Sequence, residues 1–345
     1  MKKFSIINTE NNDWKKKIEK FQKGNVDIFY TLDFAKLCQK TIYKDSSVLC
    51  LIAEENEDII LCPIVKRKFK YDNKFFFDLT SLYNLGGPIE NNHNTDLQIF
   101  FSKKLNQYCK DNKIINFFIR FHPLLKNFNI KLFKCKKIKT GDYVIVNLKK
   151  LNYPIIQNFE HRHKKSIKKA MNLKVDIIIS NDEKYLSSFL DIYYQEMKAK
   201  KAEKFYFFQK DFFKELKNSK FEYQFFLAVF ENKIISCELV LYNNTFCHSY
   251  LGATKQKFKY VCANHLLKEK ILNFFKNKGL QYYLIGGGND GILKYKIGFS
   301  NEKTRENIIG KIYYDKIFNE NLVREFKVKY KNRFFQNMQF YENYL

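Results

Sequence analysis

The sequence predicts an α/β (α+β) protein built from two similar units, on three observations. At 345 residues the chain is about twice a common domain, which runs to roughly 100–200 residues. Short apolar segments rich in Val, Ile and Phe alternate with longer segments of helical period along its length. Finally, a hairpin-like pattern occurs twice: Ala53-Glu54-Glu55-Asn56-Glu57-Asp58-Ile59-Ile60-Leu61-Cys62-Pro63-Ile64 can be laid over Ala228-Val229-Phe230-Glu231-Asn232-Lys233-Ile234-Ile235-Ser236-Cys237-Glu238-Leu239. Each copy reads as strand, acidic or Asn turn, strand. The constant offset of 175 residues is about half the chain, as duplication of one α+β unit would give. Pro63 of the first copy stands where the second has Glu238.

Taken in order, Thr31 to Thr41 has helical character, and Val48–Ala53, Ile59–Val65 and Phe75–Leu79 read as strands. The last runs into a loop ending Gly86-Gly87-Pro88, a tight turn where backbone can approach a ligand. A helix over Thr95–Lys110, a strand over Ile114–Phe121 and a strand over Tyr143–Leu148 complete the first half. The second half opens with a basic helix, Phe159–Leu173, whose apolar positions Phe159, Ile167, Ala170 and Met171 leave Arg162, Lys165 and Lys169 on another face. Lys174–Ser180 is a strand and Asp182–Lys198 a helix. In the following hairpin, Asn243-Asn244 as a two-residue turn would put Glu238 opposite Ser249 and Cys237 opposite Tyr250. Asn264–Lys278 is a helix stopped by Gly279, and Leu280–Ile285 a strand leading into Gly286-Gly287-Gly288. The expected division is 1–150, 151–317 and a basic aromatic helical tail, 318–345.

Lys+Arg number 62 against 36 Asp+Glu, a net charge of +26. This points to polyanionic partners, but only six of the cations are Arg, and the Lys, Asn, Ile and Phe usage resembles an A/T-biased coding repertoire. A content of 45% hydrophobic and 17% aromatic residues excludes a disordered chain. No apolar stretch approaches the roughly 20 residues of a membrane helix, and no secretory signal is visible. The eight cysteines form no C-x-x-C pair, so they read as reduced thiols of a cytoplasmic protein, and no His/Cys/Asp spacing suggests a metal site.

Several segments carry a family resemblance. Asp78-Leu79-Thr80-Ser81-Leu82-Tyr83-Asn84-Leu85-Gly86-Gly87-Pro88 is similar to the "spYGygGP" loop of Fem-type peptidoglycan-bridge aminoacyltransferases and their GNAT-like acetyltransferase relatives. Arg120-Phe121-His122-Pro123-Leu124-Leu125 resembles their "RFHP", and Glu160 to Ala170 their "R-r-I-r-K-A" helix. Asn264-His265-Leu266-Leu267, Leu284-Ile285-Gly286-Gly287-Gly288 and Leu293-Lys294-Tyr295-Lys296-Ile297-Gly298-Phe299 resemble the "lGGG…l…fK.gF" ending. The resemblance implies two tandem GNAT-like domains, each a mixed, largely antiparallel sheet flanked by helices. It also implies an acyltransferase acting on an amino group of a cell-envelope sugar or muropeptide precursor. The donor is acyl-CoA (acetyl-CoA) or aminoacyl-tRNA. The glycines of the GNAT pyrophosphate loop are absent from Gln256–Ala263, which weighs against the usual CoA mode. The alternatives are a tRNA-dependent bridge aminoacyltransferase specifically, or a nucleic-acid-binding protein without catalysis.

Acyl transfer to an amine needs a deprotonated amine, a polarised carbonyl and a protonated leaving group. Glu238, mid-strand among apolar neighbours, is the candidate base, with a carboxylate paired to a nearby lysine as the alternative. Tyr250 is a candidate proton donor, and the resemblance points to Lys296 as a contact to an anionic group. Candidate substrate-binding residues are Tyr83, Asn84, Gly86, Gly87, Arg120, His122, Arg162, Lys165, Asn264, Gly286, Gly287, Gly288 and Lys294. Expected partners are the anionic donor, the envelope precursor, tRNA and, at most, the membrane periphery.

Overall fold

A computed structural model describes residues 1–22, 26–71, 73–130, 132, 136–306 and 309–317; the expected tail helix, 318–345, lies outside the described residues. In chain order the elements are β1 (Lys3–Asn8), α1 (Asp13–Ile18), α2 (Leu32–Thr41), β2 (Ser47–Glu55), β3 (Asp58–Tyr71), β4 (Lys74–Thr80), β5 (Ile89–Glu90), α3 (Thr95–Asp111) and β6 (Ile114–Arg120). There follow β7 (Lys136–Asn147), α4 (His161–Asn172), β8 (Asp176–Ile179), α5 (Leu186–Ala199), α6 (Lys210–Lys217), β9 (Glu222–Phe230), β10 (Lys233–Tyr242), β11 (Phe246–Thr254), α7 (Ala263–Asn277), β12 (Tyr282–Gly286), α8 (Asp290–Ile297) and β13 (Ile309–Ile317).

The chain forms two compact units that are not serial in sequence. Unit 1 holds Met1–Thr140, Phe208–Ser219 and the segment from Lys311; unit 2 holds Gly141–Phe207 and Lys220–Gly310. In unit 1 the sheet order is β1-β2-β3-β4-β6-β13, with β5 on β3. All its neighbours are antiparallel except β4 and β6. In unit 2 the order is β8-β9-β10-β11-β12-β7, antiparallel except β11 and β12. Each unit thus contains a strand, a helical segment (α1 and α2 in unit 1, α5 in unit 2), a three-stranded meander, a helix and a parallel strand. Both are mixed, largely antiparallel sheets flanked by helices, and each has its own apolar core.

The echo in the sequence falls on equivalent hairpins, β2–β3 and β9–β10. Asn56 in the first turn, and Glu231 and Asn232 in the second, have positive φ, which short polar side chains tolerate best at Asn. Thr31 caps α2 by accepting from the Phe34 N–H, and Gly279, at φ +83°, follows α7.

Two local expectations are corrected. Asn243 Oδ1 accepts from the N–H groups of both Thr245 and Phe246, 2.8 Å each. This Asx geometry lengthens the loop, so Tyr242 pairs with Cys247, and a register shift between Leu239 and Val240 adds one residue more, so that Glu238 faces Gly252 rather than Ser249 and Cys237 faces Ala253 rather than Tyr250. On α4, Met171 is 55% exposed, and the buried stripe is His163, Ile167 and Ala170. A histidine occupies a core position that its polarity disguises.

Candidate active site

In unit 2, β11 and β12 pair only over Phe246–His248 and Tyr282–Leu284. Beyond that, β11 continues to Thr254 beside β10 while β12 ends at Gly286. Parallel strands that part at their carboxyl ends leave the crevice where α/β proteins place ligands. The register also shifts there: Leu239 pairs with Leu251 and Val240 with Ser249, which leaves Tyr250 as the extra residue of a bulge. Bulges re-aim side chains and recur next to active sites.

A buried polar cluster lies behind the parting strands. Lys268 of α7 donates to both carboxylate oxygens of Glu238, at 2.7 and 2.6 Å. It also donates to the Tyr283 hydroxyl at 2.8 Å and to Ser249 Oγ at 3.3 Å. The Tyr283 hydroxyl donates in turn to Glu238 Oε1. Burial, then the Glu238 charge, holds the Tyr283 phenol well above its ordinary pKa, so it remains a donor. Gly252 faces Glu238 across the β10–β11 pair. Glu238 is therefore a paired carboxylate, the alternative weighed from sequence.

The glycine turn and α8 form the accessible side. Gly286 has φ +91°, and a Cβ on it would meet Lys296 Nζ at 3.2 Å and the Tyr143 hydroxyl at 4.0 Å. Lys296 donates to the Gly287 carbonyl at 2.6 Å, so its ammonium sits over the turn. Asn289 caps α8 by accepting from the Ile292 N–H. The last turn of α8 is held from α4: Arg162 donates to the Lys294 carbonyl at 2.7 Å and His163 Nε2 to the Tyr295 carbonyl at 2.8 Å. Cationic and N–H donors at a helix C-terminus satisfy its orphan carbonyls and complement its dipole.

Around this tie, His163, His265, Tyr295 and Phe299 pack ring against ring, with centroids 4.5 to 5.9 Å apart. A Cβ on Gly298 would lie 2.1 Å from His163 Cε1, so the ring occupies the space a side chain would need. Burial keeps the pKa of His163 below its ordinary value and lowers that of His265 to about 4, with His163 and Arg162 adding to the effect. The Tyr295 hydroxyl donates to the Asn264 carbonyl at 3.2 Å, and the Asn264 side chain lies 3.0 Å from His265 Nδ1.

Of the residues singled out in sequence, the structure brings Asn264, Gly286, Gly287, Gly288, Lys294, Lys296 and Arg162 into this one cluster, with Glu238 behind it. Lys165 lies one turn beyond Arg162 on the exposed face of α4. Tyr83, Asn84, Gly86, Gly87, Arg120 and His122 all belong to unit 1. There Arg120 Nε donates to the Asn84 carbonyl at 3.0 Å and Nη2 to that of Leu82 at 3.1 Å. Gly87, at φ +89°, abuts the Phe121 ring, which a Cβ would approach to 2.8 Å. His122 Nε2 lies 2.7 Å from Asp27 Oδ2, and its Nδ1 accepts from Leu124 and Leu125 N–H at 3.2 Å each. These contacts fix the neutral tautomer with the proton on Nε2. The Tyr83 ring packs edge-on against Phe208.

Sequence reasoning misses Lys268, Tyr283, Tyr143 and His163. Two signals are available. Lys268 sits among Leu266, Leu267, Ile271 and Leu272, all on the buried stripe of α7, and His163 precedes Ile167 and Ala170 at helical spacing.

The fold is one that the chain shares with solved structures of Fem and tandem GNAT proteins. The chain is similar to FemX, with a TM-score of 0.68 at 12% identity, over 94% of this chain and 99% of that one. It is similar to a tandem GNAT protein from the clavulanic acid biosynthesis pathway, with a TM-score of 0.56 at 6% identity over 92% and 98%. It is also similar to L-PGS from Bacillus licheniformis, with a TM-score of 0.53 at 13% identity over 85% and 94%. No protein-family model and no curated protein sequence matches the chain.

Proposed function

We propose that the chain is an acyltransferase that moves an aminoacyl or acetyl group onto an amine of a cell-envelope sugar or muropeptide precursor. The observation that carries this reading is the Lys296 ammonium and the Tyr143 hydroxyl standing over the Gly286 turn, where β12 ends beyond its pairing with β11. In the proposed reaction the acceptor amine attacks the acyl carbonyl, so a C–N bond forms as the C–O or C–S bond to the donor breaks. The amine loses a proton and the leaving oxygen or sulfur gains one. Lys296 and Tyr143 would stabilise the oxygen that becomes negative in between, an effect worth about 10²–10³ in rate for one such donor. Glu238 would act from behind, holding Lys268 and Tyr283 in place.

The donor reading leans to aminoacyl-tRNA. Where GNAT enzymes wrap a pyrophosphate with a glycine loop, Gln256–Val261 is here a 3-10 helix with Phe258 and Val261 buried. The likeness to FemX supports the same choice. The exposed face of α4, with Arg162, Lys165, Lys168 and Lys169, suits donor or precursor phosphates.

A transfer assay with acetyl-CoA, aminoacyl-tRNA and nucleotide-linked or lipid-linked amino acceptors tests the reading, preceded by a thermal-shift panel, since a ligand of the native state raises its melting temperature. Lys296→Ala should lower kcat about 100-fold or more with little change in KM, and Lys296→Arg should regain part of it. Full activity in Lys296→Ala would remove the residue from the reaction. Arg162→Ala with Lys165→Ala should weaken the phosphate-bearing ligand, and affinity unchanged across salt concentrations would sink that assignment.

A further inference from the structure

A two-stranded ribbon in unit 1 has no part in the transfer chemistry. Pairing of β2 with β3 ends at Lys66, and pairing of β6 with β4 begins at Phe77. Beyond those points, among the described residues, β3 and β4 pair only with each other, from Phe69↔Phe76 out to Tyr71↔Lys74. Strand alternation puts Lys66, Lys68 and Lys70 on one face together with Phe75 and Phe77 of the partner strand. Lys68 Nζ lies 3.8 Å from the Phe75 ring centroid and Lys66 Nζ 4.4 Å from that of Phe77. Lys68, Lys70 and Lys74 are exposed, and so is Phe75, at 48%. The acid Asp78 is held by Arg67 through two hydrogen bonds, at 2.8 and 2.5 Å, so it does not offset the lysines.

A bare two-stranded hairpin is marginal in water, and an exposed phenylalanine at its end adds nothing to a core. Lysines flanking exposed aromatic rings suit an anionic bilayer surface, where the ring enters the headgroup boundary and the ammonium groups meet lipid phosphates. No described helix is long and apolar enough to cross a membrane, so such a contact would be peripheral. We propose that the β3–β4 ribbon docks the protein on anionic lipid through Phe75, Lys68 and Lys70. A nucleic acid, the other polyanion with apolar faces, is the competing occupant. It is disfavoured because the Lys68 ammonium already covers one face of the Phe75 ring.

The test uses the full chain with Phe75→Trp, read against the one native tryptophan, Trp14, which is fully buried. Vesicles of phosphatidylcholine mixed equally with phosphatidylglycerol should shift the introduced indole emission to the blue, and phosphatidylcholine alone should not. Near an anionic surface each lysine is worth roughly fivefold in partitioning. Lys68→Gln with Lys70→Gln should therefore weaken vesicle co-sedimentation about 25-fold, with the thermal unfolding curve unchanged. Phe75→Ala should weaken it as well, which keeps the proposal testable should the tryptophan variant fold poorly. No blue shift with anionic vesicles would overturn the proposal, as would co-sedimentation indifferent to these substitutions. A shift produced by a single-stranded oligoribonucleotide and not by vesicles would assign the ribbon to nucleic acid.

Discussion

Glu238 shows how one residue's role depends on what faces it. Its strand neighbours are apolar, so the sequence offers it as a candidate base; the fold supplies it with Lys268 from a helix thirty residues on. Breaking a buried pair on one side leaves a charge without compensation, at a cost of roughly 3–5 kcal/mol. Lys268→Met should destabilise unit 2 by about that much in urea unfolding, and Glu238→Gln with Lys268→Met should recover much of the loss. Equal stability of Lys268→Met and the parent would mean that the pair is solvated. Gly298 makes a similar point through volume. Gly298→Ala drives a methyl into the His163 ring and should cost roughly 3 kcal/mol. His163→Ala in the same chain should relieve part of that cost, a coupling that a double-mutant cycle measures. His265 carries the pH dependence. Its folded pKa of about 4 lies below the unfolded value near 6.5, so between those values the unfolded chain binds the extra proton. Stability should therefore fall as pH drops from about 6.5 to 4, by up to roughly 3 kcal/mol from this group, and level off below. His265→Gln should flatten that slope in urea titrations run at each pH, and a slope retained in the variant would assign the dependence to another group.

Helices and turns bring the site residues together, and each has a local cause. Asn289 starts α8 with a side-chain cap, and the carbonyls that close it are taken by Arg162 and His163 at the start of α4. Removing an Asn cap costs about 1 kcal/mol. Asn289→Ala should therefore speed amide exchange at Ile292 and its neighbours while leaving α7 unchanged; exchange unaltered at Ile292 would show that the cap contributes nothing. The features legible in the sequence at this scale are those set by short-range rules: the helix that Thr31 opens, the Gly279 stop after α7, and the strands on either side of Asn56 and of Glu231-Asn232. The turn at Asn243 departs from its sequence reading, because a side-chain oxygen accepting two backbone N–H groups lengthens a loop without changing its composition. The helix α8 escapes a reading by pattern because it is short and none of its residues is buried.

For the whole molecule, the sequence expectation of a single junction near 150 meets a chain that returns to unit 1 twice. α6 lies on α2, with Lys40 and Lys44 paired to Glu215 and Asp211 at 2.9 and 2.8 Å, and β13 completes the sheet beside β6. A fragment ending at residue 150 lacks both elements and leaves the edge of β6 unpaired, a template for association. Such a fragment should be aggregated or molten by circular dichroism and light scattering; a monomeric, cooperatively folding fragment would refute that dependence. The sequence by itself determined the duplicated α/β plan, the two hairpins and the segments Arg120-Phe121-His122 and Gly286-Gly287-Gly288, because alternation, turn chemistry and order of motifs are local properties of the chain. Only the tertiary structure decided that Lys268 meets Glu238, that His163 fills the space beside Gly298, and that Lys296 stands over the glycine turn. The first two contacts join residues far apart in sequence, the third depends on how α8 folds back over the turn, and burial and shape, which no local pattern records, select all three.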